Sequence, residues 1–133
     1  MDVLLVDDHP IIHETMRAIV RSVRADAGFH GQFDLAGGLS QAARLSELGL
    51  VLVDLGLPGC SEMEALLKFR EAFPGTPVAV ISATEDAERV HAALDAGAAG
   101  YLPKTLLPKA MASAIRDILD GQVYSPLAEG RAA

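Results

Sequence analysis

Three short runs along the chain are apolar without interruption: residues 3–6, 50–53 and 78–81. Between and after them, apolar residues recur at three- and four-residue steps instead. A continuous apolar run of this length predicts a strand buried on both faces, as in a parallel sheet, whereas the wider steps predict amphipathic helices. The first run predicts a strand at 3–6. Pro10 suits the first turn of the helix that follows, in which Ile12, Met16, Ile19, Val20 and Val23 form one stripe. The glycines between residues 28 and 31 read as a break. Residues 33–36 read as a weak second strand, and Ser40 as the cap of a short helix carrying Ala43, Leu45 and Leu48 and stopped by Gly49. The strand at 50–54 is the clearest of all.

Ser61 and Glu64 have the spacing of a capping box, opening a helix with Met63, Leu66, Leu67 and Phe73 turned inward and Pro74-Gly75 at its end. A fourth strand is predicted at 78–82. The helix expected at 84–96 has a thin stripe, Val90 and Leu94 among alanines, and should be the most weakly packed and most mobile. A short strand at 100–103 ends in Pro103, which cannot donate to a ladder and marks a strand end or a sheet edge. A last helix at 107–120 turns Met111, Ala114, Ile115 and Ile118 inward. Strict alternation of five strands and five helices predicts an α/β fold: a parallel sheet with helices on both faces. Right-handed crossovers favour the flavodoxin-like (βα)5 order 2-1-3-4-5, which sets the first and third strands side by side.

Composition narrows the picture. The 133 residues suit one domain, and half are apolar, enough for a sizeable core; aromatics are only 5% with no Trp, so that core must be aliphatic. A formal charge of −7 and no cluster of Lys or Arg argue against direct nucleic-acid binding by this segment. Cys60 is the sole cysteine, which excludes an internal disulfide and suggests a reducing compartment. No apolar stretch approaches the roughly 20 residues of a membrane span, and the acidic start, Met1-Asp2, is unlike a signal peptide. A cytoplasmic location without membrane attachment is the simplest expectation.

The candidate chemistry sits at the carboxyl ends of the strands, where open α/β sheets place their sites. Asp7 and Asp8 follow the first strand, Asp54 closes the third, Ser82 ends the fourth and Lys104 follows the fifth. In the order 2-1-3-4-5 the three acids share one crevice. Carboxylates crowded together resist joint ionisation unless a cation relieves them. Magnesium is favoured, because it accepts one or two carboxylates and recruits phosphate oxygens, whereas a calcium cage needs more oxygen ligands than the visible acids supply. Asp54 at a strand end can act as a nucleophile toward phosphorus, with Ser82 and Lys104 as donors to the phosphoryl oxygens. Taken singly, an Asp-Asp pair is most often a turn or cap, Ser82 a loop hydroxyl, Lys104 a surface charge and Tyr101 an edge residue. The joint pattern, with each group at the right strand end, carries the inference. His9 reads as a structural or capping histidine. His13 is expected near solvent with it, with no cysteine or third histidine to build a zinc site.

The segments Leu5-Val6-Asp7-Asp8-His9-Pro10, Val53-Asp54-Leu55-Gly56-Leu57-Pro58-Gly59, Val80-Ile81-Ser82-Ala83 and Gly100-Tyr101-Leu102-Pro103-Lys104 resemble the signatures of bacterial response-regulator receiver domains. Within that family, Asp-Asp-His-Pro, Leu-Pro-Gly and Gly-Tyr-Leu-Pro-Lys look like the LuxR-type transcriptional subgroup. The resemblance covers residues 1–125, which are expected to form the receiver domain. Residues 126–133 are then a tail or the start of a linker toward an effector domain. It implies that Asp54 is the phosphoacceptor, that Asp7, Asp8, Asp54 and the backbone carbonyl of Gly56 hold Mg2+, and that Lys104 binds the phosphoryl group. Ser82 would be the switch hydroxyl and Tyr101 the switch aromatic. The chain departs from the usual pattern in its Cys60-Ser61-Glu62 stretch, where Met-Asp-Gly is common, and in lacking a Pro-Asp entry to the third strand.

The resemblance further implies a signalling switch, not an enzyme with an external substrate. A sensor histidine kinase would donate a phosphoryl group to Asp54, Ser82 would move inward with the loop after it, and Tyr101 would turn from an exposed to a buried position. Dimerisation on phosphorylation and control of a DNA-binding effector domain belong to the same expectation. One alternative is a pseudo-receiver, an interaction module of the same fold without phosphorylation, against which the intact residue set argues. Another is a small aspartyl-nucleophile phosphohydrolase, which would usually carry a second aspartate two residues after the nucleophile, where this chain has Gly56. A flavin or dinucleotide binder is more remote, since no glycine-rich phosphate loop follows the first strand.

Overall fold

The computed structural model describes residues 1–127. Most of the 126–133 tail therefore lies outside the described residues. Five strands, β1 (Asp2–Val6), β2 (Gly28–Gln32), β3 (Leu48–Asp54), β4 (Val78–Ser82) and β5 (Gly100–Pro103), alternate with five helices. The helices are α1 (Pro10–Val23), α2 (Leu35–Arg44), α3 (Glu64–Ala72), α4 (Ala87–Asp95) and α5 (Pro108–Leu119). The strands form one parallel sheet in the order β2-β1-β3-β4-β5. This is the flavodoxin-like order that the alternation of elements predicts.

The uninterrupted apolar runs have a direct cause. Successive strand side chains point to opposite faces, and both faces are covered. Val3, Leu5, Leu50, Leu52, Ala79, Ile81 and Leu102 pack toward α1 and α5, against Met16, Ile19, Val20, Met111, Ala114, Ile115 and Ile118. Their neighbours Leu4, Val6, Val51, Val53, Val78, Val80 and Tyr101 pack toward α2, α3 and α4, against Ala42, Ala65, Leu66, Phe69, Val90 and Ala93. The α5 stripe is the one expected. The narrow anchoring of α4 is also as expected, with Val90 and Ala93 its buried residues.

Three sequence readings are corrected. The second strand is not at 33–36 but at Gly28–Gln32, the stretch whose glycines read as a break. It is an edge strand held by its ladder to β1, from Asp2↔Gly28 to Val6↔Gln32, so backbone pairing supplies what its side chains lack. Gly31 has a packing reason, since a Cβ there would collide with the His13 ring. The second helix accordingly starts earlier. Asp34, not Ser40, is its cap, accepting from Gly37 N at 2.7 Å, and Leu48 and Gly49 belong to β3. Gly38 sits where α2 meets the sheet, and a Cβ would lie 2.6 Å from Val6 Cγ2, so close approach takes precedence over helix propensity.

In α3, Leu67 is half exposed, and Ala65, Leu66 and Phe69 face the core. The helix begins at Glu64, two residues later than a cap at Ser61 would set it, and Met63 and Phe73 are only partly buried against the core. Half of the expected capping box survives, with Ser61 N donating to Glu64 Oε1 at 3.1 Å. Phe69 is fully buried, and Phe69→Ala is expected to cost about 3–5 kcal/mol of unfolding free energy. Leu67→Ala should change it by no more than about 0.5 kcal/mol. Urea denaturation of the two variants measures the difference.

Candidate functional site

The sheet register brings the candidate groups to one rim. Val6 pairs with Val53, Asp54 with Ile81, and Ser82 with Pro103, so the carboxyl ends of β1, β3, β4 and β5 stop level with one another. Asp7 follows β1 and is tied to the sheet by its N–H donating to Gln32 O at 3.1 Å; Lys104 follows β5 and donates its N–H to Ser82 O at 2.7 Å. A cleft of about 180 Å³ opens there, lined by His9, Asp54, Leu55, Gly56, Glu62, Ser82, Ala83, Thr84, Arg89 and Lys104.

Asp7 and Asp54 are buried, at 0% and 3% exposure, and Asp8 is partly exposed beside them. Lys104 Nζ lies 2.9 Å from Asp7 Oδ2 and 3.5 Å from Asp54 Oδ2, so a single ammonium serves two buried carboxylates. Gly56 N donates to Asp54 Oδ1 at 3.1 Å, which fixes the carboxylate plane and the turn after β3. Burial pushes the Asp54 carboxyl above its ordinary range. The Gly56 hydrogen bond pulls it back, the Asp7 charge raises it again, and Lys104 lowers it.

Asp7 Oδ2, Asp8 Oδ1 and Asp54 Oδ2 are buried yet accept no hydrogen bond, although Lys104 faces two of them as an ion pair. Buried oxygens left in this way favour a further positive charge. Ligand atoms from Asp7, Asp8, His9 and Asp54 all lie within 4.8 Å of one another, close enough to meet on one small ion. The donor set is hard and mainly oxygen, which fits the divalent cation expected from the sequence.

Ser82 is buried, and its Oγ accepts from Thr84 N at 3.2 Å. Tyr101, which the resemblance expects to travel between exposed and buried positions, is fully buried, its hydroxyl donating to Thr84 O at 2.7 Å.

All the expected site residues converge on this rim or the loop beside it. Two others escaped the sequence reading, and His9 was read only as a structural or capping histidine. Thr84 connects Ser82 to Tyr101, a role signalled only by its place two residues after a strand-end hydroxyl. Arg89 bonds Glu62 across the cleft mouth at 3.2 Å, a pairing between distant segments that no local pattern shows. His9 lies at the acids themselves, 2.8 Å from Asp7 Oδ1. His13 is a correction, because it is buried, with Nε2 donating to the Asp7 carbonyl at 2.7 Å and its ring 4.4 Å from that of Phe33. Cys60, which the sequence leaves without a role, is partly buried, and burial raises its thiol pKa, consistent with an inert side chain.

Comparison with known proteins agrees with this geometry. The family model described as the response regulator receiver domain matches residues 3–116. A transcriptional activator protein, ExaE, of Pseudomonas putida is 35% identical, the match covering 96% of this chain and 60% of the relative. A glycerol metabolism activator of the same species is 32% identical over 93% of this chain and 56% of its own length. The chain therefore spans less than two thirds of these relatives. Among solved structures, a LuxR family DNA-binding response regulator from Silicibacter pomeroyi superimposes with a TM-score of 0.83 at 26% identity, covering 96% of this chain and 98% of that one. No helix among the described residues is long and apolar enough to cross a membrane.

Because burial raises the Asp54 pKa in the folded state, its ionised form costs stability at every pH above the ordinary carboxylate range. In metal-free buffer Asp54→Asn is expected to stabilise the protein at pH 7, because it removes a carboxylate charge that burial disfavours. The gap should close as the pH falls toward about 4, the ordinary value at which the unfolded carboxyl also takes up its proton. Thermal unfolding of both proteins across that range checks the sign.

Proposed function

Since this chain belongs to the response regulator receiver domain family, we propose that Asp54 accepts a phosphoryl group from the phosphohistidine of a sensor kinase and that the acquired charge switches the surface around α4 and β5. The observation that carries the reading is the sharing of one ammonium, Lys104, between two buried carboxylates, Asp7 and Asp54, at the rim where Ser82 also ends its strand. A dianionic phosphoryl group on Asp54 supplies a new partner for that ammonium and for the Ser82 hydroxyl.

In this mechanism an Asp54 carboxylate oxygen attacks phosphorus in line. The new O–P bond forms as the P–N bond to the donor histidine breaks, and the electron pair leaves with the imidazole. Gly56 N–H orients Asp54 by holding Oδ1, which leaves Oδ2 on the side of Lys104. Lys104 leaves Asp7 and neutralises the incoming phosphoryl group. Asp7, Asp8 and Asp54, with the Gly56 carbonyl, would hold Mg2+, whose chemistry when bound is to neutralise phosphoryl oxygens. The Ser82 hydroxyl takes a phosphoryl oxygen, and the Thr84 loop that it carries is the one to which Tyr101 is bonded. The same site would return to rest by slow hydrolysis of its own aspartyl phosphate, so the domain turns over no external substrate.

Residues 1–125 form the receiver unit in this reading, and 126–133 lead toward an effector. Similarity to a transcriptional activator and to a DNA-binding response regulator supports a role in transcription exerted outside this segment. The net charge of −7 supports the same division, with DNA contacted elsewhere and the receiver contributing the switch. In this reading the domain works in the cytoplasm and pairs with a second copy on phosphorylation.

Acetyl phosphate with Mg2+ should add the mass of one phosphoryl group to the wild-type protein. Chelation of the metal or Asp54→Asn should abolish the addition, and Lys104→Ala should slow it severely while leaving the fold intact by circular dichroism. Intact-protein mass spectrometry reads all of these, and unchanged labelling of Asp54→Asn would remove Asp54 as the acceptor.

A further inference from the structure

The imidazole of His9 is placed as a fourth ligand among the three carboxylates. Its Nδ1 lies 2.8 Å from Asp7 Oδ1, 3.3 Å from Asp8 Oδ1 and 3.8 Å from Asp54 Oδ2. The backbone holds it there. His9 N donates to Asp7 Oδ1 at 2.8 Å, and Pro10 confines the preceding residue to the extended conformation observed, φ −99° and ψ 109°. The same nitrogen lies 3.2 Å from Lys104 Nζ. A neutral ring nitrogen cannot donate to Asp7 and accept from Lys104 at once, whereas one metal ion can satisfy Nδ1 and all three carboxylates together. Asp7 Oδ2 and Asp54 Oδ2 are buried and accept no hydrogen bond, and the one ammonium that faces them, Lys104 at 2.9 and 3.5 Å, leaves the three carboxylates with more negative charge than it can offset, which is the independent sign that the pocket has room for a cation.

A pocket of carboxylates alone suits Mg2+, whereas an imidazole added to it suits borderline first-row ions such as Zn2+ and Co2+. We propose that the Asp7-Asp8-His9-Asp54 cluster binds a borderline transition-metal ion through His9 Nδ1, in competition with Mg2+ for the same carboxylates. Such an ion would use the donors that serve the phosphoryl reaction, so the domain would sense the balance of the two classes of metal. The inference rests on the reading of the acids as a divalent-cation site. His9 adds a preference within that site.

The experiment is titration of the full chain with Mg2+, Zn2+ or Co2+ alone, by calorimetry and by the Co2+ visible spectrum, in wild type and His9→Gln. The His9 side chain is more than half exposed, so the variant should fold, and circular dichroism checks that it does. Loss of His9 is expected to weaken Zn2+ and Co2+ by at least about tenfold, the lower end of what even an outer-shell partner costs, while Mg2+ changes little. The Co2+ spectrum of the wild type should shift in the variant as a nitrogen ligand is lost, a readout independent of affinity and of phosphorylation. Equal Zn2+ and Co2+ binding by both proteins, with Mg2+ still bound, overturns the role of His9 and leaves the phosphoacceptor reading standing. Failure of the wild type to bind any of the three ions overturns both.

Discussion

Repulsion between carboxylates at the edge of a dry sheet governs this structure. Asp7 and Asp54 are held at the ends of adjacent strands whose preceding residues are fully buried, so neither can swing out to water without dragging a strand end along. Low dielectric strengthens the repulsion, which Lys104 and the Gly56 N–H partly offset. The fold therefore concentrates negative charge that its own cations only partly neutralise. A site of this kind is stable enough to persist and strained enough to respond when a cation or a phosphoryl group arrives. The raised pKa of Asp54 and the buried oxygens without hydrogen bonds are two expressions of one condition.

Response follows from how few contacts separate the site from the surface. Asp54 faces Lys104; Lys104 is tied through its backbone to Ser82; Ser82 accepts from Thr84; and Thr84 accepts from Tyr101. Each link is a single hydrogen bond or ion pair, and α4, the helix nearest the end of this series, buries little more than Val90 and Ala93. An element anchored by one valine and one alanine can be shifted by a bias of a few kcal/mol, which is within what a few charge-assisted bonds supply. The rest of the sheet, sealed on both faces by aliphatic side chains, has no comparable freedom.

Legibility in the sequence followed the strength of local pattern. The runs 3–6, 50–53 and 78–81 declared themselves because burial on both faces forbids polar residues, and the acids, hydroxyl and lysine stood out by ending them. The second strand stayed hidden because GFHGQ has neither alternation nor β-branched residues. Its stability comes from pairing with β1 and from a glycine that makes room for His13, both of them long-range causes. Misplacing it displaced α2 as well, since Asp34 was read into the strand and not as the cap. In α3 Leu67 was misjudged because two adjacent apolar residues both read as inward, whereas Leu66 takes the core-facing position and its neighbour is left half exposed. His9 was legible as a residue and not as a ligand, because the distances that bring it to Asp54 depend on how β1 and β3 pair.

Beyond α5 the chain returns to the sheet. Tyr124 lies parallel to Gly100 on the open edge of β5, its N–H donating to Ala99 O at 3.2 Å and its carbonyl accepting from Tyr101 N at 3.0 Å. The polypeptide thus leaves the domain hung on the backbone of the very residue whose ring fills the space beside Thr84. Any displacement of the Tyr101 backbone therefore also displaces Tyr124. The segment after α5 and the buried Tyr101 ring are thus two ends of one short mechanical linkage along the sheet edge.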